Sequence, residues 1–271
     1  DEVMKTIKAG TDFNSVFAKA RAAAPEAFDS NSLRNLIGGE WVALGEKQRF
    51  LTPVDQSEIV GPSMLNLEQT QQAVDKAVTM DADWSKVSLD ERKNRVAKAL
   101  ELLREQRDTI ALLLLWEIGK PWKLACADVD RCIEGVQWYL EEIDRQMTGR
   151  TPLPGPVSNI ASWNYPLSVL VHAELVQLLA GNAVIAKTPT QGGFHALTLS
   201  HAMMAKAGLP VTLVSGSGSQ LAPALVSSPA LGAMAFVGGR NNGRAAARSL
   251  TSLAKRHILE QEGLNSWAVW G

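Results

Sequence analysis

Residues 157–187 read VSNIASWNYPLSVLVHAELVQLLAGNAVIAK. Val157 to Ala161 is a short β-rich apolar run and predicts a strand. Pro166 suits the first turn of a helix and Gly181 its end, because the fixed φ of proline fits a helix start and the freedom of glycine fits its stop. Ala183 to Ala186 predicts the next strand. The alternation continues with a helix over His195 to Ala207, a strand over Val211 to Val214 and a short helix over Leu221 to Ser227. A strand over Ala233 to Val237 and a helix over Arg244 to Lys255 follow, and Ile258-Leu259 begins a last strand. Repeated βα units with short connections predict an α/β fold. Its form is a Rossmann-like parallel sheet with helices on both faces. Ligands of such sheets bind outside the carboxyl ends of the strands, so the loops that follow strands are the places to search.

Upstream the texture differs. Residues 1–147 read as mainly helical, against the βα units of 148–271. Asn66-x-x-Gln69 and Ser88-x-x-Glu91 each resemble a capping box. Behind Ser88 an amphipathic run at helical spacing (Val96, Leu100, Leu103, Ile110, Leu113, Leu114) extends to Gly119-Lys120-Pro121. A second helix is expected from about Ala125 to Ile143. There is no internal repeat and no low-complexity segment.

Four strand ends carry groups capable of chemistry. Asn164, in Ser162-Trp163-Asn164-Tyr165-Pro166, either donates its amide to a developing oxyanion or caps the following helix. Lys187, at the end of a buried strand, needs a partner: a ribose hydroxyl, a phosphate or solvent. Gly238, Gly239 and Gly243 permit close backbone approach before a helix whose free N–H groups attract a pyrophosphate; as isolated residues they read equally as turn glycines. No G-x-G-x-x-G is present there. Glu260 sits in an apolar strand, where burial raises a carboxyl pKa and suits it to general-base work; the alternative is a local pair with Arg256.

Bulk properties bound the function. The chain has 271 residues, 46% hydrophobic and 20% charged, with a net charge of −1. That affords a buried core and gives no basic surface for nucleic acid. Cys126 and Cys132, six apart on an expected helix, form neither a disulfide framework nor a metal spacing. They read as buried or half-buried thiols in a reducing compartment. The four histidines are dispersed, so no metal site is expected. Lys5, Lys8 and Asp12 interrupt any signal-like start. The longest apolar stretch, Ala111 to Trp116, is too short for a bilayer. The expectation is a soluble, cytoplasmic protein without membrane or nucleic-acid partners. Trp267-Ala268-Val269-Trp270-Gly271 reads as the middle of a buried strand.

Taken together and in order, several segments resemble the aldehyde dehydrogenase superfamily. They are Ile37-Gly38-Gly39-Glu40-Trp41, Thr52-Pro53-Val54-Asp55, Glu117-Ile118-Gly119-Lys120-Pro121 and Trp163-Asn164-Tyr165-Pro166. Gly181-Asn182-Ala183-Val184 to Lys187, Phe236-Val237-Gly238-Gly239 and Leu259-Glu260 complete the set. The resemblance implies the roles that follow. Ser162 and Trp163 lie against the cofactor, and Asn164 binds the oxyanion. Lys187 meets the adenosine ribose, and Gly238, Gly239 and Gly243 receive the pyrophosphate. Glu260 activates the water that hydrolyses a thioester. An aldehyde would be the substrate, and NADP or NAD the cofactor. Thr190 stands where NAD-preferring members carry a glutamate. A threonine there can donate to a 2′-phosphate, with Lys187 and a nearby arginine supplying positive charge, so NADP is favoured. The second carboxylate at Glu262 leaves open which of the two faces the site. The short segment Thr151 to Pro156 argues against the usual tetramer and leaves room for a homodimer. The family's nucleophilic cysteine lies beyond the general base, and neither Cys126 nor Cys132 matches it. The resemblance therefore implies the cofactor-binding part of a longer enzyme, without a nucleophile of its own. The alternative is a short, non-catalytic dinucleotide-binding pseudoenzyme or regulatory module.

Overall fold

Residues 10–29, 32–262, 266 and 268–270 are described by the computed structural model. Helix α1 (Phe13–Ala23) leads into two hairpins, β1 (Asn35–Ile37) with β2 (Glu40–Val42) and β3 (Glu46–Leu51) with β4 (Glu58–Met64). Four helices follow: α2 (Leu67–Trp84), α3 (Leu89–Glu105), α4 (Arg107–Ile118) and α5 (Trp122–Met147). The alternating part begins with β5 (Val157–Ile160), a π-helical turn (Pro166–Val171) and α6 (His172–Ala180). It continues with β6 (Val184–Lys187), α7 (Phe194–Lys206), β7 (Val211–Val214) and α8 (Gly218–Leu225). It closes with β8 (Ala233–Gly238), α9 (Arg240–Ser252) and β9 (Arg256–Gln261).

Strands β5 to β9 are mutually parallel, and the main sheet runs β2-β1-β7-β6-β5-β8-β9. Successive side chains on a strand point to opposite faces. Val184 and Ala186 of β6 therefore join the large core built by α1 and α3 to α7, while Ile185 joins α2 and α8 on the other face. Along β7, Leu213 and Val214 divide in the same way. Helix α9 packs on β8 through Met234, Phe236, Ala246 and Leu250. Helices thus cover both faces, as expected of a parallel sheet whose strands are apolar on each side.

The stretch expected to be mainly helical also holds β1 to β4. Gly38 and Gly39, both at positive φ, make the β1–β2 turn, a Gly-Gly hairpin signal that lies within one of the segments of the family resemblance. The long amphipathic run divides at Gln106, which ends α3 and begins α4. Helix α3 buries one stripe through Val96, Leu100 and Leu103, whereas α4 is buried all round from Ile110 to Glu117. Asn66 and Gln69 form the full reciprocal capping box. Ser88 accepts from Glu91 N, but the Glu91 carboxylate turns to Arg95. The C-terminal expectation of a buried strand is not met over Ala268–Trp270, which are exposed and outside any strand; Trp267 and Gly271 lie outside the described residues.

Candidate functional site

From β5 the chain builds outward through β6 to β7, then returns to the other side of β5 for β8 and β9. The strand order reverses between β5 and β8, and the register sets Ile160 level with Lys187 on one side and with Phe236 on the other. The loops that leave these strand ends diverge and open a crevice, the usual ligand position in an open parallel sheet. A cavity of about 680 Å³ occupies it, lined in part by Ser162, Trp163, Lys187, Thr190, Gly238 and Gly239. That volume is in the range of small-molecule sites.

Lys187 is 5% exposed. Its ammonium donates to Thr188 O at 2.7 Å, and burial pulls its pKa down to about 8. Thr190 is exposed where it lines the cavity, a wall it shares with Ser217 and Ser219. Among the described residues no Asp or Glu lines the cavity, and Lys187 is the charged residue of its wall. Arg49 lines an adjoining hollow with Thr190 and Ser217, where it is paired to Glu58.

Two of the three candidate glycines belong to the cavity. Gly239 precedes α9 with extended backbone, and a Cβ added there would meet nothing within 4 Å. Its wall is open to the crevice. Gly243 is different. A Cβ at Gly243 would lie 2.6 Å from the Gln261 side chain, so its smallness serves the packing of α9 on β9, and it does not line the cavity.

Asn164 follows the lining residues Ser162 and Trp163 on the β5 loop. Its Oδ1 accepts from Ser162 Oγ at 2.6 Å, which leaves the amide N–H groups as the free end. The loop is held from beneath. Lys120 Nζ donates to Asn164 O at 2.6 Å, stands 3.7 Å from the Tyr165 ring centroid and lies 3.4 Å from Asp128 Oδ2. Asp128 Oδ1 in turn accepts from Ser168 N and Oγ. One turn earlier, the fully buried Glu117 accepts from His195 N at 2.9 Å, from Ala196 N at 3.3 Å and meets His195 Nδ1 at 2.8 Å. It caps α7, whose own N-cap is Gly193 and has no side chain to offer. In the sequence Glu117 and Lys120 stand out only as members of a resembling segment, and Asp128 carries no local signal of its role.

Glu260 departs from expectation. It pairs in register with Val237, but β9 is the edge of the sheet and Glu260 is exposed. The buried position expected of it is not found, and no bond to Arg256 forms. Glu262 instead binds the start of α9, through Arg240 N at 3.2 Å and the Arg240 guanidinium at 3.3 Å. Gly263 lies outside the described residues. Cys126 and Cys132 are both buried in α5, and burial pushes both thiols up; neither lines the cavity. Among the described residues no group of three or more His, Cys, Asp or Glu is placed to hold a metal, and no helix is long and apolar enough to cross a membrane.

The family model described as "Aldehyde dehydrogenase family" matches residues 41–271. The chain belongs to the aldehyde dehydrogenase family. Within that family it is 26% identical over 258 residues to 1-pyrroline-5-carboxylate dehydrogenase 1 of Halalkalibacterium halodurans, a match covering 86% of this chain and 50% of that one. The solved aldehyde dehydrogenase folds include an NADP-dependent glyceraldehyde-3-phosphate dehydrogenase from Bacillus halodurans C-125 complexed with NADP. It superposes with a TM-score of 0.77 at 26% identity, over 87% of this chain and 53% of that one. A 1-pyrroline-5-carboxylate dehydrogenase from Thermus with bound NAD shares the fold at a TM-score of 0.78 and 24% identity, over 95% and 55%. The chain spans about half the length of the curated relatives it matches.

Proposed function

We propose that this chain is the cofactor-binding part of an NAD(P)-dependent aldehyde dehydrogenase, which oxidises an aldehyde to a carboxylic acid through a cysteine thioester, and that it favours NADP. The observation that carries the reading is the cavity at the strand-order reversal, where, among the described residues, Lys187 is the charged lining residue and no carboxylate lines the wall. Such a wall attracts a phosphate-rich ligand and places no like charge against a 2′-phosphate. Lys187 and Thr190 hold the adenosine ribose and its phosphate, and Gly238 and Gly239 let the pyrophosphate approach α9. A bound dinucleotide supplies the hydride acceptor. The amide of Asn164 donates to the oxyanion of the tetrahedral adduct, and Glu260, exposed on the edge strand β9 and outside the cavity wall, is free to take the proton of a hydrolytic water brought to that edge. The thiolate comes from neither Cys126 nor Cys132, whose thiols are buried away from the cavity. Solved relatives with NADP and with NAD bound support the cofactor class.

The test is calorimetric titration of the chain with NADP+ and NAD+, with Trp163 fluorescence followed in parallel. Trp163 is 39% exposed at the cavity wall, so saturable quenching that Trp163→Phe abolishes is expected, with NADP+ the tighter ligand. Tight NAD+ with negligible NADP+ binding removes the preference. Binding of neither removes the reading.

A further inference from the structure

The start of α9 already holds an anion. Glu262 Oε1 accepts from Arg240 N at 3.2 Å, and its Oε2 lies 3.3 Å from the Arg240 guanidinium. Two features show that the chain is folded back to make this contact. Glu262 N donates to Gly238 O at 3.4 Å, which ties the end of β9 to the glycine turn. Glu262 also has φ +42, a left-handed conformation that residues with a Cβ rarely adopt. Next to Arg240, Gly239 is open, and Gly238, Gly239 and Asn242 line the cavity. Neither Glu262 nor Arg240 lines the cavity itself, but the Glu262 carboxylate is held at the start of the helix whose Gly239 and Asn242 do.

We propose that Glu262 is an internal competitor for phosphate: its carboxylate occupies the first N–H of α9 and neutralises Arg240, and a dinucleotide has to displace it to seat its pyrophosphate. This rests on the dinucleotide reading of the cavity. A helix start favours negative charge, but one N–H serves one acceptor, and two anions side by side repel. Removing the carboxylate frees both the N–H and the Arg240 guanidinium, a good partner for phosphate oxygens. Ligands without a phosphate do not meet this competitor. Glu262 therefore sets how tightly the site holds phosphate-bearing ligands relative to their nucleoside part.

The experiment is calorimetry on the 271-residue chain and its Glu262→Gln and Glu262→Gly variants, with NAD+, NADP+ and adenosine as probes. Glutamine removes the charge and keeps the backbone demand; glycine removes both. Both variants are expected to bind NAD+ and NADP+ about fivefold more tightly, the scale of a charge at a helix start, with adenosine unchanged. Equal dinucleotide affinity in all three proteins overturns the proposal. So does tightening in Glu262→Gly alone, which would assign the effect to backbone strain, or an equal gain for adenosine. If no form binds either dinucleotide, the reading of the cavity falls instead, and this inference with it.

Discussion

The ammonium of Lys120 lies 2.6 Å from the main-chain oxygen of Asn164, and 3.4 Å from the fully buried carboxylate of Asp128. A single buried lysine thereby joins the end of the α4–α5 connection to the loop that carries the candidate oxyanion donor. Burial pulls its pKa down, and the Asp128 charge opposes that pull. Lys120→Met deletes the charge at similar volume and leaves Asp128 without its counter-ion. Removing one partner of a buried pair costs about 3 kcal/mol. Urea unfolding is expected to show that loss; a change under about 0.5 kcal/mol, the scale of an ordinary surface substitution, would refute the clamp.

Glu117 gives the second hold of the same segment. Its carboxylate satisfies two backbone N–H groups and the His195 ring in a site with no solvent. Glu117→Ala strands all three donors, so a loss of about 3–5 kcal/mol is expected. Hydrogen exchange should show the first turn of α7 opening first. Unaltered protection there would mean that Glu117 does not cap the helix.

The depressed pKa of Lys187 gives the site a pH dependence. Below about pH 8 the side chain is mostly an ammonium, and above it a neutral amine that no longer attracts phosphate. NADP+ affinity is therefore expected to be flat through neutrality and to fall as the pH rises past about 8. The slope should vanish in Lys187→Met, which fits the same buried space. An identical slope in that variant would place the titrating group elsewhere.

Thr190 lines the cavity three residues after Lys187. Thr190→Glu sets a carboxylate where a 2′-phosphate is expected and where it can accept from ribose hydroxyls. Repulsion of one to two kcal/mol, about tenfold or more, should weaken NADP+ while NAD+ is kept or improved. Parallel losses for both would show that Thr190 does not discriminate between them.

His201 is fully buried with both ring nitrogens on acceptors, Nδ1 at 2.8 Å from Leu197 O and Nε2 at 3.0 Å from Glu174 Oε1. Two acceptors require two N–H groups, hence an imidazolium. Burial alone disfavours that charge, but the Glu174 carboxylate and the two hydrogen bonds outweigh it and raise the pKa. A raised histidine adds stability that is complete below its unfolded value, near 6.5, and is lost as the pH rises through the folded one. The urea midpoint should therefore drop as the pH rises above about 6.5 in the unaltered chain, and drop less in Glu174→Gln.

Much of the fold was legible because its signals are local. The apolar runs at Val157, Val184, Val211 and Ala233 alternate with helical stretches bounded by Pro166, Gly181 and similar stops, and short connections between such units leave a parallel sheet as the natural arrangement. The cavity residues were legible for the same reason: Ser162, Lys187, Thr190 and Gly238 each end or follow a strand, and the order of the strands brings their loops together. The β1 to β4 hairpins were missed because β1 and β2 have three residues each, β3 is mostly exposed, and β4 carries Gly61 and Pro62 inside it, so pairing and not apolar periodicity holds them.

What the chain determined by itself was the succession of elements and the strand-end position of each candidate group, since propensity, capping and periodicity act over a few residues. Tertiary structure alone decided the rest. Position in the sheet made Glu260 an exposed edge residue despite its apolar neighbours, and packing of α9 on β9 turned Gly243 away from the cavity. The partners of Lys120 and Glu117 stand 44 and 78 residues away. Burial and pairing are set by which distant segments meet, and a local pattern carries no measure of that distance.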